Sequence, residues 1–203
     1  MSHNKNFPRI YSLSTVGIRN HYNSDYRFHP FRTDFVGDSG VGKSIIADVL
    51  QLILVGEREF KSATDSSSER EARKLIIERY GYVFLNIAIN TGQFIVIGMY
   101  ISATSIDPFI IQANIGLDMF EPLSSPIISK DFMSGDEIID IIDLPERMKE
   151  SKQAYAVKLT LNKYHELLEQ NNILPINLKT EGNLKTFAQI IRAFSRGKGF
   201  KNN

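Results

Sequence analysis

The most constraining feature of this sequence is the octapeptide GDSGVGKS at residues 37–44, which fits the phosphate-loop pattern G-x-x-x-x-G-K-[ST]. In such a loop, backbone N–H groups point inward at a polyphosphate, and the N-terminus of the following helix adds a partial positive charge. The pattern assigns Lys43 to the β and γ phosphates and the Ser44 hydroxyl to Mg²⁺. We therefore predict a site for a nucleoside triphosphate with Mg²⁺.

The predicted site runs from the first glycine of the motif to the residue after its serine. The predicted nucleotide-binding residues are Gly37, Asp38, Ser39, Gly40, Val41, Gly42, Lys43, Ser44 and Ile45. Lys43 is also the predicted catalytic residue, because its ammonium group reaches the phosphates, and Ser44 is the predicted Mg²⁺ ligand.

The segments on either side of the motif favour a strand, loop and helix in that order. Residues 26–36, YRFHPFRTDFV, predict a strand, and residues 44–56 predict a helix that ends at Gly56. Apolar residues recur three and four positions apart in this helix, which predicts one buried face. The residues of that face are Ile46, Val49, Leu50, Ile53 and Leu54.

Further strands are predicted on both sides of this unit. Residues 9–19 alternate well enough for a first strand, and residues 20–25 supply turn formers. Residues 81–89 and 93–103 are rich in aromatic and β-branched side chains and are separated by Asn-Thr-Gly, which predicts a β-hairpin. Residues 108–115 predict a third strand. Antiparallel strands after the helix are unlike the alternating strands and helices of small GTPases or nucleotide kinases.

A charged, serine-rich segment separates the helix from the hairpin. It carries six basic and six acidic side chains between Glu57 and Arg79, which predicts a mobile surface loop that leads into a short helix. Its arginines Arg58, Arg70 and Arg73 are candidates for contact with a phosphate or DNA. The alternative is a solvated surface of mixed charge.

The last third of the chain changes character twice. Residues 116–150 hold nine acidic and three basic residues, which predicts an irregular segment with a short amphipathic helix at 136–143. Helices are predicted over 153–170 and 184–194. Residues 182–203 hold five basic and no acidic residues, a cationic tail in which Arg196 and Lys198 are candidates for contact with DNA. A frayed terminus is the alternative.

Composition excludes several kinds of protein. Among 203 residues there is no cysteine, which excludes disulfides and thiolate metal sites, and the formal net charge of +1 predicts no strong global attraction to nucleic acid or membrane. The four histidines show no paired ligand spacing, so we interpret them as surface or structural residues. No apolar run approaches the length of a membrane span, and we expect a cytoplasmic protein without membrane contact.

The sequence has no clear candidate for the carboxylates that hydrolysis requires. A P-loop enzyme needs a carboxylate that holds Mg²⁺ and a group that positions the attacking water, and an apolar strand that ends in aspartate usually supplies the first. The nearest candidates are Asp140 and Asp143, which lie within the predicted amphipathic helix. The sequence therefore predicts the phosphate half of an ATPase site and lacks a clear hydrolytic half.

The order of these features resembles the N-terminal lobe of an SMC-type ABC ATPase head, and within that group it is similar to RecF, RecN and MukB heads. The resemblance is carried by the run F-x-G-x-x-G-x-G-K-S at residues 35–44, by the strands around it, and by the charged loop and meander that follow. Residues 183–199 resemble the end of the N-terminal head segment in MukB-like and Wadjet-type bacterial SMC proteins. Asp38-Ser39 departs from the Pro-Asn that is common in this family.

This resemblance implies an α/β fold: a P-loop NTPase of the ABC/SMC head type, with an antiparallel β-meander and peripheral helices in its N-terminal lobe. Residues 1–115 would form the ATP-binding lobe, and residues 116–203 would form an acidic segment and helices that lead towards a coiled-coil arm. It also implies ATP and Mg²⁺ as ligands, with Gln189 near the position of a Mg²⁺-sensing glutamine. The arginines of the charged loop lie where the family places a DNA-contacting arginine.

The resemblance implies nucleotide-dependent pairing of heads in a DNA-handling complex, for bacterial defence against plasmids or phage, DNA repair or chromosome organisation. The partners that it implies are a second SMC-like head in a homodimer, DNA, and accessory subunits of a defence or repair complex. In this family the catalytic carboxylates and the signature motif come from a C-terminal segment beyond the coiled coil. Two other functions stay open. One is a self-contained P-loop NTPase or kinase that uses Asp140 or Asp143, and the other is a nucleotide-gated DNA-binding module.

Overall fold

The structure is a computed structural model that describes residues 7–36, 42–61, 71–174, 178 and 180–195. Six of its strands form one antiparallel sheet in the order β2-β1-β3-β4-β5-β8, and β6 and β7 form a separate two-stranded ribbon. The strands are β1 Arg9–Ile18, β2 His21–Arg27, β3 Tyr80–Asn90, β4 Gln93–Ser102, β5 Ile106–Gln112, β6 Met133–Ser134, β7 Glu137–Ile138 and β8 Tyr155–Lys158. The α-helices are α1 Lys43–Val55, α2 Leu144–Lys152, α3 Leu161–Gln170 and α4 Glu181–Ser195. The fold is therefore mixed α/β around an antiparallel sheet.

The predicted hairpin and third strand are confirmed. Strands β3 and β4 pair along their whole length, and Gly92 in the turn between them has φ +68°. This left-handed conformation suits glycine, as the Asn-Thr-Gly signature predicts. Strand β5 pairs with the other edge of β4.

The prediction for the second strand is wrong in position. The first strand is confirmed as β1, but β2 follows it after only two residues, Arg19 and Asn20, and ends at Arg27. Residues 28–36 have no regular structure. Pro30 lacks an N–H for a strand ladder, and the His29 N–H donates instead to Thr33 Oγ1 at 2.8 Å. The phosphate motif therefore follows an irregular segment and not a strand.

The sheet is buried on both faces, which explains its near-continuous apolar strands. One face presents mainly aliphatic side chains, such as Val83, Leu85 and Ile97, and packs against α1, α3 and α4. The other presents aromatic side chains such as Tyr82 and Phe84. Because side chains alternate along a strand, β1, β3, β4, β5 and β8 each contribute to both cores.

The acidic segment covers the aromatic face. Phe132 is fully buried, and its ring centroid lies 4.6 Å from that of Phe84 and 4.7 Å from that of Tyr82. The buried amide of Asn86 both donates to and accepts from the backbone of Ile127, at 2.8 and 2.9 Å. A segment with few regular elements is thus attached to the sheet by ring packing and by a paired buried amide.

Two helix predictions in the last third are wrong. The amphipathic helix expected at 136–143 is instead strand β7 followed by a turn, and the helix that follows, α2, begins only at Leu144. The helix expected over 153–170 is divided, because residues 155–158 form the edge strand β8 and only 161–170 are helical. Short apolar runs do not distinguish a strand from a helix. Residues 155–158 are a strand because they pair with β5.

The last helix is confirmed as α4. Leu184 and Phe187 are buried and Ile191 packs partly against the same core, whereas the side chain of Phe194 is outside the described residues. The described parts of 1–115 and 116–203 share one sheet, and the division between them stays a prediction. Among the described residues, no helix has both the length and the apolar character needed to cross a bilayer.

Helix α3 contacts the C-terminal end of α1 through two side chains. The Tyr164 hydroxyl donates to the carbonyl of Ile53 at 2.9 Å, and His165 Nε2 lies 3.1 Å from the carbonyl of Leu54. These carbonyls belong to the last turn of α1, which has no intrahelical partners for them. His165 Nε2 therefore carries the proton and donates it to this bond.

Acidification is expected to destabilise the protein through His165. Burial lowers the pKa of His165 below its ordinary value of 6.5, and the bond to Leu54 offsets only part of this effect. As pH falls through 6.5 the unfolded chain binds a proton that the folded chain does not, so stability is lost on the acid side. In urea unfolding at about pH 7.5 and about pH 5.5, the unsubstituted protein should lose more stability than His165→Gln. The exposed His29, substituted in the same way, should leave this loss unchanged; equal losses in all three proteins would contradict the assignment.

Candidate phosphate-binding site

Part of the predicted site is described, and it forms the start of α1. Gly42, Lys43, Ser44 and Ile45 lie there, whereas Gly37, Asp38, Ser39, Gly40 and Val41 lie outside the described residues. Gly42 is the N-cap residue, with φ 94° and ψ 13°. A side chain on Gly42 would be strained, because φ is positive and a Cβ there would lie 2.5 Å from His21 Nε2. The local geometry thus requires glycine at position 42, the second glycine that the motif specifies.

The N-terminal end of α1 has the electrostatics of an anion site. Its first turn contains no acidic residue, and no side chain caps it. The N–H groups of Ile45 and Ile46 both donate to the Gly42 carbonyl, at 2.9 and 3.4 Å. Lys43 is exposed and Ser44 is half-buried. Backbone N–H groups of a first turn point out of the helix towards its N-terminal end, and this end therefore favours a negative ligand.

A histidine that the sequence analysis treated only as surface or structural contacts this site. His21, the first residue of β2, is 9% exposed, and its Nε2 atom lies 2.9 Å from the Gly42 carbonyl oxygen. Its other ring nitrogen, Nδ1, lies 2.5 Å from the Tyr26 hydroxyl. Residues 21 and 42 are far apart in sequence and no motif links them, so only the folded chain brings them together.

The charged loop begins against the side of α1. The buried amide of Gln51 donates to the Lys61 carbonyl at 2.7 Å and accepts from the Lys61 N–H at 3.0 Å. The Gln51 amide thus uses both its NH₂ group, as donor, and its oxygen, as acceptor, on the same residue. The loop is therefore anchored to α1 at Lys61, next to its undescribed residues 62–70.

The candidate DNA-contacting residues divide into two groups. Arg58 pairs with Glu181 at 3.6 Å, and Arg73 pairs with Glu57 at 3.0 Å, so both described arginines have carboxylate partners. The remaining candidates are Arg70, Arg196 and Lys198, and they lie outside the described residues.

Gln189, the candidate Mg²⁺-sensing residue, is exposed on α4. Helix α4 is joined to residues just beyond the C-terminus of α1, because Glu181 pairs with Arg58 and Arg192 donates to the carbonyl of Glu59 at 3.4 Å. A helix of 13 residues such as α1 is about 20 Å long. These described bonds of α4 therefore lie at the opposite end of α1 from Ser44.

Asp140 and Asp143 lie on the opposite side of the sheet from α1. They line an acidic groove of about 510 Å³ with Glu137, Glu146 and Glu150. The neighbouring Ile138 and Leu144 belong to the aromatic core, and the Tyr82 hydroxyl donates to the Ile139 carbonyl at 2.7 Å. The sheet thus separates this groove from the start of α1. Among the described residues, no group of three or more His, Asp or Glu side chains is placed to hold a metal ion.

Comparison with known proteins assigns this sequence to no family, because no protein-family model and no curated protein matches it. The resemblance to SMC-type heads therefore depends on the motif and on the order of its elements.

Proposed function

We propose that this chain binds MgATP through the motif of residues 37–44, whose last two residues begin α1. The observation that supports this most directly is the start of α1: a left-handed glycine, then an exposed lysine and a half-buried serine, in a first turn without acidic residues. In this proposal the backbone N–H groups of Lys43 and Ser44 and the Lys43 ammonium group bind the phosphates, and the Ser44 hydroxyl holds Mg²⁺.

We further propose that the chain is the N-terminal part of an SMC-like ABC ATPase head that pairs with a second head around ATP in a cytoplasmic, DNA-handling complex. The support is the order of elements after the motif, which is a helix, a charged loop and an antiparallel meander. The proposed DNA contacts are Arg58, Arg70, Arg73, Arg196 and Lys198, of which Arg58 and Arg73 are in ion pairs with Glu181 and Glu57 and would exchange these exposed partners for phosphates. In such a head the Mg²⁺-binding carboxylate comes from another segment, which fits the position of Asp140 and Asp143 across the sheet.

The proposal predicts ATP binding without turnover. Residues 1–203 should bind MgATP in calorimetry, and phosphate release should stay at the level of a protein-free control, because in this proposal the hydrolytic carboxylates come from another segment. Robust turnover by this chain, abolished by Asp140→Ala or Asp143→Ala, would instead support a self-contained NTPase and contradict the head proposal.

The role of Ser44 has its own test. In Ser44→Ala, Mg²⁺ should no longer strengthen ATP binding, because the hydroxyl that ligates the ion is absent. Calorimetric titrations with and without Mg²⁺ measure the difference. Ser151→Ala is a matched control, since Ser151 is exposed on α2 and its hydroxyl donates to the Arg147 carbonyl at 2.7 Å. A Mg²⁺ effect of the same size in Ser44→Ala and in Ser151→Ala would exclude Ser44 as the ligand.

A further inference from the structure

His21 connects the β1–β2 hairpin to the phosphate site by a short hydrogen-bonded chain. A carbonyl oxygen can only accept, so the bond of 2.9 Å between His21 Nε2 and the Gly42 oxygen requires the proton on Nε2. In the neutral ring Nδ1 is then an acceptor, and the Tyr26 hydroxyl, 2.5 Å away, donates to it. The chain runs from Tyr26 through the imidazole to Gly42, and it selects one tautomer of the ring.

The Gly42 carbonyl belongs to the peptide unit whose N–H is that of Lys43. The C=O and N–H of a trans peptide point in opposite directions in one plane. His21 fixes the carbonyl on the side of the helix and the hairpin, so the N–H of Lys43 is directed to the N-terminal end of α1, where the proposal puts the phosphates.

Other contacts hold His21 itself in place. Its backbone carbonyl accepts from Thr15 Oγ1 at 2.7 Å, and the Tyr26 ring packs edge-on against both His21 and Phe35. Phe35 lies in the irregular segment that leads into the motif. The hairpin therefore contacts the segment before the motif through Tyr26, and it contacts Gly42, the N-cap residue of α1, through His21.

We propose that His21 is a positioning residue for the phosphate site: it donates from Nε2 to the Gly42 carbonyl and thereby orients the Gly42–Lys43 peptide, with its tautomer set by Tyr26. This inference rests on the proposed function, because it assigns a role within the same site. The affinity for phosphates is the property that reports this role, since the Gly42–Lys43 peptide lies at the N-terminal end of α1.

Substitution of His21 separates this role from simple packing. His21→Phe keeps a ring and removes the donor, and it should weaken the binding of MgATP and of inorganic triphosphate by about 2- to 10-fold, the usual contribution of one hydrogen bond. His21→Gln retains an N–H donor and should restore most of the affinity. Tyr26→Phe should have a smaller effect than His21→Phe. His29→Phe, at an exposed histidine, is the matched control and should bind normally.

Long-range ¹H–¹⁵N spectra of the unsubstituted protein test the tautomer without any variant. The proton should be on Nε2 of His21, and the ring signals should shift when MgATP is added. Normal triphosphate affinity in His21→Phe, or a proton on Nδ1, would overturn the positioning role while leaving the proposed function intact. Failure of the unsubstituted protein to bind either triphosphate would contradict the proposed function, and this inference with it.

Discussion

Lys43→Ala is expected to weaken MgATP binding by about 10- to 150-fold, which corresponds to the loss of one charge-assisted hydrogen bond of about 1.5–3 kcal/mol. Lys43 is exposed on the first turn of α1, so removal of its side chain should leave the melting temperature nearly unchanged. Calorimetry with MgATP and a thermal melt of the same sample measure both quantities. A loss of affinity without a loss of stability would identify Lys43 as a ligand-binding residue.

The matched control is Lys163→Ala. Lys163 lies on the first turn of another helix, α3, where it pairs with Glu166 at 3.7 Å. This substitution removes the same charge from a comparable helical position, so it measures any general effect of net charge on the binding of an anion. Equal weakening in the two variants would mean that the phosphates are not bound at the start of α1.

Phe132→Ala is expected to lower the free energy of unfolding by about 3–5 kcal/mol, the usual cost of a large-to-small substitution at a buried aromatic residue. Phe132 is 0% exposed and packs against Tyr82 and Phe84 of β3 and against Phe109 of β5. The substitution would open a cavity between the acidic segment and the sheet. Urea unfolding followed by circular dichroism should show a lower midpoint for the whole protein.

Met119→Ala is the control from the same segment. Met119 is 75% exposed, so its truncation should change stability by less than about 0.5 kcal/mol. If Phe132→Ala behaved like Met119→Ala, the segment would contribute little to the sheet, and residues 116–150 would be a separable appendage.

Local sequence patterns were sufficient to predict the elements that short-range features determine. The helix after the motif, the hairpin with its glycine turn, and the last helix all lie where the sequence predicts them. In each case the signal is an apolar period or a turn residue within a few positions of its effect.

The wrong predictions have a common cause: in each case the secondary structure depends on contacts with residues that are distant in the sequence. Residues 155–158 have an ordinary amphipathic pattern, and they are a strand because β5 offers them an open edge. Residues 21–27 are polar, and they are a strand because a two-residue turn brings them alongside β1. The irregular acidic segment is ordered because it covers an aromatic face, which composition alone does not reveal.

The same distinction between local pattern and tertiary contact applies to the candidate site. The motif by itself determined which residues can bind a triphosphate and Mg²⁺, because that chemistry depends on glycine, lysine and serine at fixed spacing. The tertiary structure decided what surrounds them: it separates Asp140 and Asp143 from α1 by the sheet, and it brings His21 to within 2.9 Å of Gly42. A hydrogen bond depends on position in space, so a sequence pattern over eight residues could predict the ligand-binding residues but not the contact between His21 and Gly42.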